Sequence, residues 1–219
     1  MLKFSISEEN YIKSIFHLQE MHDTVSATML SLAVNTKAAS VTDMLKKLHL
    51  KKIVNYRPYK NFTLTEPGNK IALEVIRKHR LWEYFLVNKL GFKWDEVHVI
   101  AEELEHISST ALIQRLDDYL EHPCFDPHGD PIPDKHGKIK TLKQTNLAGL
   151  PLKKFAAVSY IKDQSVQMLE LLKHYHISIG TKLRVNKRFV FDGSVEIKID
   201  KLPVAVLSEQ VAKNIFCIA

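Results

Sequence analysis

Hydrophobic positions follow a helical period through the first quarter of the chain, in three consecutive segments. The first segment has one apolar stripe, made of Tyr11, Ile12, Ile15, Phe16 and Leu18. This stripe predicts a helix that begins at Ser7. Glu8 and Glu9 then lie in its first turn, where carboxylates interact favourably with the helix dipole.

Two shorter segments predict a helix-turn-helix. Ser26 is suited to cap a short helix, and Asn35 and Thr36 supply a turn and the cap of a second helix. The second helix buries a stripe made of Val41, Met44, Leu45 and Leu48. The positions left exposed near its start are Lys37, Ala39, Ser40 and Asp43. A recognition helix presents such positions to base edges in DNA.

The pattern then changes to alternation in "IVNY" and "FTLT", on either side of a turn that contains Pro58 and Asn61. Such alternation predicts a short β-hairpin. Thr65 is suited to cap the next helix, with Pro67 in its first turn. A helix-turn-helix followed by such a hairpin is a winged helix.

Positive charge is concentrated in this region. Between Lys37 and Lys60 there are seven Lys or Arg residues and one acid, Asp43. Cations that neutralise phosphates release counterions, so this pattern predicts DNA binding that weakens with salt. The candidate DNA-binding residues are Ser26, Thr36, Lys37, Ala39, Ser40, Asp43, Lys47, Arg57 and Lys60. The alternative is a helical hairpin for protein contact, with solvated lysines.

The helical period returns in a long helix from about Pro67 to Leu90, which Gly91 ends, and in a second helix from about Asp95 to Ile107. The second helix buries Val97, Ile100, Ala101, Leu104 and Ile107. His98, Glu102, Glu105 and His106 share an arc of ~100° on the other side. Periodicity alone predicts that this arc is a solvated face.

Charge and donor chemistry make a metal site an alternative to the solvated face, although the residues alone still favour the solvated face. Glu102, Glu103 and Glu105 crowd negative charge, and the predicted helix contains no Lys or Arg to offset it. Carboxylate and imidazole without thiolate suit Mn²⁺ or Fe²⁺, and Zn²⁺ also binds such donors in vitro. His79 and Glu83, one turn apart on the long helix, form a weaker candidate pair, since such pairs are common surface contacts.

The last third of the chain alternates between short strands and turns. "HPCFDPHGDPIPDKHGKIK" reads as a loop and linker. From about Leu150, "FAAVSYI", "KLRVNKRFVF" and "SVEIKI" predict strands of a small β-barrel, with one helix, "SVQMLELLKHY", between them. Earlier, "ISSTALIQRLDDYLEH" predicts a dimer-facing helix with apolar positions at Leu112, Ile113, Leu116, Tyr119 and Leu120.

Composition adds limits to this picture. The 219 residues carry a net charge of +6, distributed as +6 in residues 1–80, −8 in 81–135 and +8 in 136–219. A basic block beside an acidic one fits a polyanion-binding module joined to a cation-binding one, although chance unevenness is the alternative. No apolar run is long enough for a bilayer and no secretory signal is present, so we expect a cytoplasmic protein. Cys124 and Cys217 form no C-x-x-C pair and are expected to be buried or half-buried thiols.

The chain resembles the diphtheria toxin repressor and manganese transport regulator family of metal-activated bacterial repressors over nearly its whole length. The segments that carry the resemblance, in the family's order, are "EENYIKSIFHL", "VTDMLKKLHLKKIV", "LTEPGNKIA", "RKHRLWEYFL", "EVHVIAEELEHISS" and "DPHGDPIPD". It implies a mainly α fold with a small β domain. The implied parts are a winged helix-turn-helix (1–66), a helical metal-binding and dimerisation domain (67–135), a linker (136–149) and an SH3-like β-barrel domain (150–219).

The same resemblance implies a set of ligands. Glu102, Glu105 and His106 match the principal metal site, and Asn10 occupies the position of a Met or Asp ligand. Lys13 stands where the manganese type has an acidic ligand, which argues against that type's paired metals. The residues that match the ancillary site of the iron type are His79, Glu83 and His98. Asp163 and Gln164 are further candidates for it, with capping of the next helix as the equally favoured alternative.

These observations predict a homodimeric transcriptional repressor that uses Mn²⁺ or Fe²⁺ as co-repressor on a palindromic operator. Two other classes stay open. One is a metal-dependent hydrolase, although neither a nucleophile motif nor a Gly-rich loop is present in a chain with seven glycines. The other is a DNA-binding protein that metal does not regulate.

Overall fold

The computed structural model describes residues 3–57, 60–199 and 201–218. Pro58, in the predicted hairpin turn, lies outside them. The chain forms two compact units. The first unit comprises Met1–His79, Glu102–Ile113 and Pro133–Lys138, and the second comprises Arg80–Ala101, Gln114–Ile132 and Ile139–Ala219.

Helices dominate the first two thirds of the chain and strands the last third. The helices are α1 (Ile6–Met21), α2 (Ala27–Ala33), α3 (Ala38–Leu50), α4 (Glu66–Leu90), α5 (Val97–Leu104), α6 (Thr110–Tyr119), α7 (Val166–His174) and α8 (Glu209–Asn214). The strands are β1 (Val54–Asn55), β2 (Thr63–Leu64), β3 (Thr145–Asn146), β4 (Phe155–Ile161), β5 (Lys182–Arg188), β6 (Val195–Ile199), β7 (Ala205–Leu207) and β8 (Ile215–Ile218). No helix in the described ranges is long and apolar enough to cross a membrane.

In the first unit, α1 packs against the helix-turn-helix formed by α2 and α3. The shared core includes Ile12, Ile15, Leu30, Val41, Leu45 and Leu48. Antiparallel pairing of β1 with β2 confirms the predicted hairpin. Gly68 lets α4 begin close to this hairpin, because a Cβ there would collide with the Ile53 carbonyl oxygen.

Two predicted helix starts are wrong. The helix α1 is capped by Ser5, not Ser7, through a capping box in which Ser5 and Glu8 bond each other's backbone amides. The N-cap of α3 is Lys37, because the Thr36 hydroxyl donates to the Val34 carbonyl oxygen instead. The predicted caps Ser26 and Thr65 are confirmed by hydrogen bonds to Met29 N and Gly68 N, respectively.

The predicted helix over residues 95–107 is shorter than expected. It forms α5, which ends at Leu104, so Glu105 and His106 lie in the following turn. The prediction of one solvated helical face is therefore wrong for this pair. Glu105 is 0% exposed, whereas His98 and Glu102, still within α5, are exposed.

The second unit contains an antiparallel six-stranded sheet with the order β3-β8-β4-β5-β6-β7. The strands predicted from "FAAVSYI", "KLRVNKRFVF" and "SVEIKI" are β4, β5 and β6, and the predicted helix is α7. β3, β7, α8 and β8 were not predicted. The core under the sheet includes Val158, Ile161, Leu169, Leu172, Leu183 and Ile197. Cys217 is buried with them, but Cys124 is exposed, against the expectation for it.

Candidate metal centres

Glu105 is at the centre of the first group of candidate ligands, which lies in the first unit. Lys13 Nζ lies 2.6 and 2.8 Å from its two carboxylate oxygens, and His79 Nδ1 lies 2.6 Å from Oε2. Burial alone would raise the pKa of Glu105, but the His79 hydrogen bond and the Lys13 charge outweigh burial and lower that pKa. Glu105 is therefore an ionised carboxylate held in the protein interior.

His106, the next residue, faces two carboxylates. Its Nδ1 lies 2.6 Å from Glu9 Oε2, and because an ionised carboxylate only accepts hydrogen bonds, Nδ1 carries the donated proton. In the neutral ring the lone pair is then on Nε2, which lies 3.5 Å from Glu105 Oε1. A carboxylate on one imidazole nitrogen and a free second nitrogen is the usual arrangement of a metal-binding histidine.

The two remaining candidates of this group are less enclosed. The Glu102 side chain is 52% exposed, and its Oε1 lies 3.6 Å from Lys13 Nζ. Asn10 is exposed on α1. The α1 carboxylate that contacts the group is that of its neighbour Glu9, which no spacing or motif in the sequence had singled out.

A second group, in the second unit, is made of Glu83, His98, Asp126 and His128. Glu83, Asp126 and His128 are buried, and each offers a ligand atom within 4.8 Å of the others. His98 is exposed, with Nδ1 3.3 Å from Glu83 Oε1. Asp126 and His128 lie in the loop after α6, which the sequence predicted only as a loop and linker.

His128 has the geometry expected of a ligand. Its Nε2–H donates to the Trp94 carbonyl oxygen at 2.8 Å, and its ring stacks on the Trp94 indole. When the ring is neutral, as metal binding requires, this bond leaves the lone pair on Nδ1. Nδ1 has no hydrogen-bond partner among the described residues and lies 3.8 Å from Glu83 Oε2 and 4.0 Å from Asp126 Oδ1. A buried, unbonded nitrogen that faces two carboxylates fits a cation site.

The charges of this second group are poorly balanced. Burial and the charges of Asp130 and Glu83 raise the pKa of Asp126 well above its usual value. Burial alone would lower the pKa of His128, but the Glu83 and Asp126 carboxylates outweigh it and raise that pKa to about 9. Arg80 offsets part of the negative charge, with Nη2 3.0 Å from Asp130 Oδ1. Protons on Asp126 and His128 offset the rest without metal, and a divalent ion would take their place.

The loop that carries Asp126 and His128 is fixed against β4. Ile161 N donates to the His128 carbonyl oxygen at 3.0 Å. Gly129 has φ +89°, and a Cβ there would collide with the Ser159 carbonyl oxygen, so glycine is required by both conformation and space.

The candidates Asp163 and Gln164 have different contacts. Gln164 Nε2 donates to the Asp130 carboxylate, in the loop that carries the second group. Asp163 Oδ1 accepts from Ser165 N at 3.0 Å, in the turn before α7, and the α7 cap itself is Ser165. Neither residue is the cap of α7: Asp163 forms a local turn, and Gln164 supports the loop.

The candidate nucleic-acid surface is on the first unit. Its exposed members are Lys37, Ala39, Ser40, Asp43, Lys47, Arg57 and Lys60. Ser26 and Thr36 are half-buried and their hydroxyls bond within the helix-turn-helix.

Three family descriptions match consecutive parts of the chain. Residues 3–62 match the iron-dependent repressor N-terminal DNA-binding domain, residues 65–134 the iron-dependent repressor metal-binding and dimerisation domain, and residues 145–219 the FeoA domain. An uncharacterised HTH-type transcriptional regulator of Methanocaldococcus jannaschii is 36% identical over 118 residues, which cover 53% of this chain and 94% of that protein. This chain belongs to the iron-dependent repressor family.

Other members of the iron-dependent repressor family are similar over different lengths. The iron-dependent repressor IdeR of Mycobacterium tuberculosis is 31% identical over 125 residues, 57% of this chain, and the match spans about half (54%) of that protein. A solved structure described as a manganese-dependent transcriptional repressor in complex with manganese is 36% identical, with a TM-score of 0.85 over 97% of this chain and 99% of that one. The predicted fold class, a winged helix-turn-helix and helical region followed by an SH3-like β domain, is confirmed.

Asp126 and His128 are the candidate ligands of this family member that sequence reasoning missed. The available signal was the "DPHGD" of residues 126–130, where two acids and a histidine flank a glycine within five positions. Loop residues have no helical or strand period, so only the tertiary fold brings them beside Glu83.

Proposed function

We propose that this chain is a metal-dependent transcriptional repressor. In this proposal Mn²⁺ or Fe²⁺ is the co-repressor of a homodimer that binds a palindromic operator. The observation that carries it is the contact of the Glu105 and His106 turn with α1, which packs on the helix-turn-helix of the same unit. Membership of a family of repressors favours this function over a metal-dependent hydrolase.

The donor chemistry of both groups fits a divalent first-row ion. The candidate atoms are carboxylate oxygens and imidazole nitrogens, and no thiolate is among them. Such donors suit Mn²⁺ and Fe²⁺, while Zn²⁺ can fill the same sites in vitro. The similar structure described as a manganese complex supports Mn²⁺ as the first ion to test.

We assign the candidate residues to two centres. The first comprises Glu102, Glu105 and His106, with Asn10 and His79 as further ligands; we place His79 here because it contacts Glu105. The second comprises Glu83, His98, Asp126 and His128. Gln164 supports this second centre through Asp130, and Asp163 is left outside it.

Metal would act by fixing the position of the helix-turn-helix. The ion supplies positive charge that keeps carboxylates and imidazoles of separate segments together. The residues of α1 and of the Glu105 turn then hold one arrangement, so that the two winged helices of a dimer keep the spacing that an operator requires. Linkage makes the effect reciprocal, so operator DNA should tighten metal binding by the same factor, with couplings of ~1–3 kcal/mol being usual.

The remaining parts of the chain have assigned roles in this proposal. Residues 1–66 bind DNA through α3 and the hairpin, residues 67–135 bind metal and dimerise, and residues 150–219 form the SH3-like domain. The predicted dimer-facing residues of α6, together with Leu120, which follows it, divide into two classes. Ile113, Leu116 and Leu120 are buried within the chain, whereas Leu112 and Tyr119 are 42% and 61% exposed. The exposed pair is available for a partner.

The test is operator binding by fluorescence anisotropy at fixed salt, with the protein stripped of metal and then titrated separately with Mn²⁺, Fe²⁺ and Zn²⁺. We expect stimulation by Mn²⁺ or Fe²⁺ of ~5–150-fold, the range of ordinary couplings. Equal affinity with and without a chelator would leave a DNA-binding protein that metal does not regulate.

A further inference from the structure

Helix α1 carries two adjacent glutamates that face different partners. Glu8 is 1% exposed, and its Oε1 lies 2.6 Å from Lys51 Nζ and 3.3 Å from Lys47 Nζ, both at the end of α3. Glu9 Oε2 lies 2.6 Å from His106 Nδ1. Successive helical residues point ~100° apart, so one turn of α1 can touch both partners at once.

The contacts of Glu8 hold α1 against the recognition helix α3. The Glu8 carboxylate thus lies buried beside two lysine ammoniums at the end of α3, and its Oε2 also accepts a hydrogen bond from Ser5 N at 2.8 Å. Beneath these bonds, Ile12 and Leu45 belong to one apolar core.

The contact of Glu9 holds α1 against the turn that contains Glu105 and His106. A carboxylate bonded to Nδ1 sets the ring orientation and the tautomer of His106, so that Nε2 faces Glu105. The neighbouring Asn10, at the position where the family has a ligand, is exposed.

We propose that Glu9 orients His106 for metal binding. Through its contacts with α3, Glu8 then makes the recognition helix move together with α1 when metal binds. The pair is thus the mechanical link between the first centre and DNA. This inference rests on the proposed function, and it assigns to both glutamates a positioning role instead of direct ligation.

Glu9 is tested by Mn²⁺ binding, followed by electron paramagnetic resonance of the free ion. The full chain carries His128→Ala as background, so that the first centre is read alone. We expect Glu9→Leu to weaken Mn²⁺ binding ~10–100-fold, the usual effect of losing an outer carboxylate on a ligating histidine. Glu20→Gln removes an exposed charge from the same helix and should change the affinity less than about twofold.

Glu8 is tested by the ratio of operator affinities with and without Mn²⁺, in the otherwise wild-type chain. Glu8→Gln should leave Mn²⁺ affinity in the absence of DNA within about twofold of wild type, yet reduce the ratio at least fivefold, the lower range of allosteric couplings. Adding Lys51→Met to Glu8→Gln should reduce this ratio of affinities little further, because each change breaks the same contact.

The outcomes separate this inference from the function on which it rests. No Mn²⁺ effect on operator binding in wild type removes the proposed function. Mn²⁺ stimulation in wild type with unchanged Mn²⁺ affinity in Glu9→Leu removes the role of Glu9. A Glu8→Gln variant whose operator affinity falls by the same factor with and without Mn²⁺, so that the ratio stays at the wild-type value, gives Glu8 a purely structural role and overturns the link.

Discussion

The two ligand groups offset the negative charge of their buried carboxylates in different ways. At the first group, Lys13 and His79 bond the buried Glu105 carboxylate directly, and the pKa of Glu105 is lowered. At the second group, the pKa of Asp126 is raised and Nδ1 of His128 has no hydrogen-bond partner among the described residues. The first group is balanced by the cationic side chain of Lys13, whereas the second group is balanced by protons, since the pKa values of Asp126 and His128 are both raised.

This difference predicts a division of labour between the centres. An ion that enters the first centre must compete with the Lys13 ammonium, so binding there should be weaker and responsive to metal concentration. An ion that enters the second centre replaces protons instead of a fixed ammonium and relieves repulsion among carboxylates, so binding there should be tighter and should mainly stabilise the fold. A divalent ion therefore acts as a signal at one centre and as a structural part at the other.

The largest expected effect is on regulation through the first centre. Glu105→Gln or His106→Ala should remove Mn²⁺ stimulation of operator binding, a loss of ~5–150-fold, because each change removes a donor that the ion requires. Anisotropy titrations measure the loss, and circular dichroism checks that the fold is kept. Full stimulation in both variants would refute the ligand assignment.

The second expected effect distinguishes the centres by thermal stability. Saturating Mn²⁺ at ~100 times its dissociation constant should stabilise the wild type by about 2.7 kcal/mol through a single site. His128→Ala should lose most of the stabilisation seen at low Mn²⁺ concentration, whereas His106→Ala should keep it. The reverse order in calorimetric scans would invert the division of labour.

The third expected effect is the pH dependence of the metal-free protein. The pKa of His128 is raised to about 9 from its usual 6.5. Its contribution to the free energy of unfolding is therefore fully present below pH 6.5 and is lost as pH rises to 9. The loss is up to about 3 kcal/mol. Urea unfolding at pH 6.5 and 9 should show a smaller loss in His128→Gln. Glu105 has the opposite sign, because its lowered pKa makes its contribution disappear on acidification.

The smallest expected effect lies outside both centres. Lys37→Ala should weaken operator binding and reduce the slope of log affinity against log salt by about 1, if its ammonium meets one phosphate. Lys70→Ala, an exposed lysine paired with Glu66 on α4, is the matched control. An unchanged slope removes Lys37 from phosphate contact.

Local features of the fold were readable from the sequence because their causes are local. Ser26 and Thr65 cap helices through residues three positions away, and the stripe of α3 follows directly from its period. The choice of Ser7 over Ser5 missed a readable signal, since Ser5 and Glu8 have the spacing of a capping box. The short strands β3, β7 and β8 are too brief for alternation to mark them.

The sites were readable only in part, because their partners are distant in sequence. Lys13 and Glu105 are 92 positions apart, and no pattern within α5 reveals that the turn after it is buried. Asp126 and His128 depend on a loop that is fixed by β4, far along the chain. The family resemblance identified Glu102, Glu105 and His106 as candidate ligands. The structure adds Asp126 and His128 as candidate ligands and Glu9 as a residue that contacts one.

The Trp94 stack on His128 has a practical consequence. The chain contains two tryptophans, and Trp94 lies with its ring centroid 5.9 Å from that of His128. Its emission should respond when a paramagnetic ion fills the neighbouring centre. In a Trp82→Phe background, occupancy of one centre could be followed optically without any attached dye.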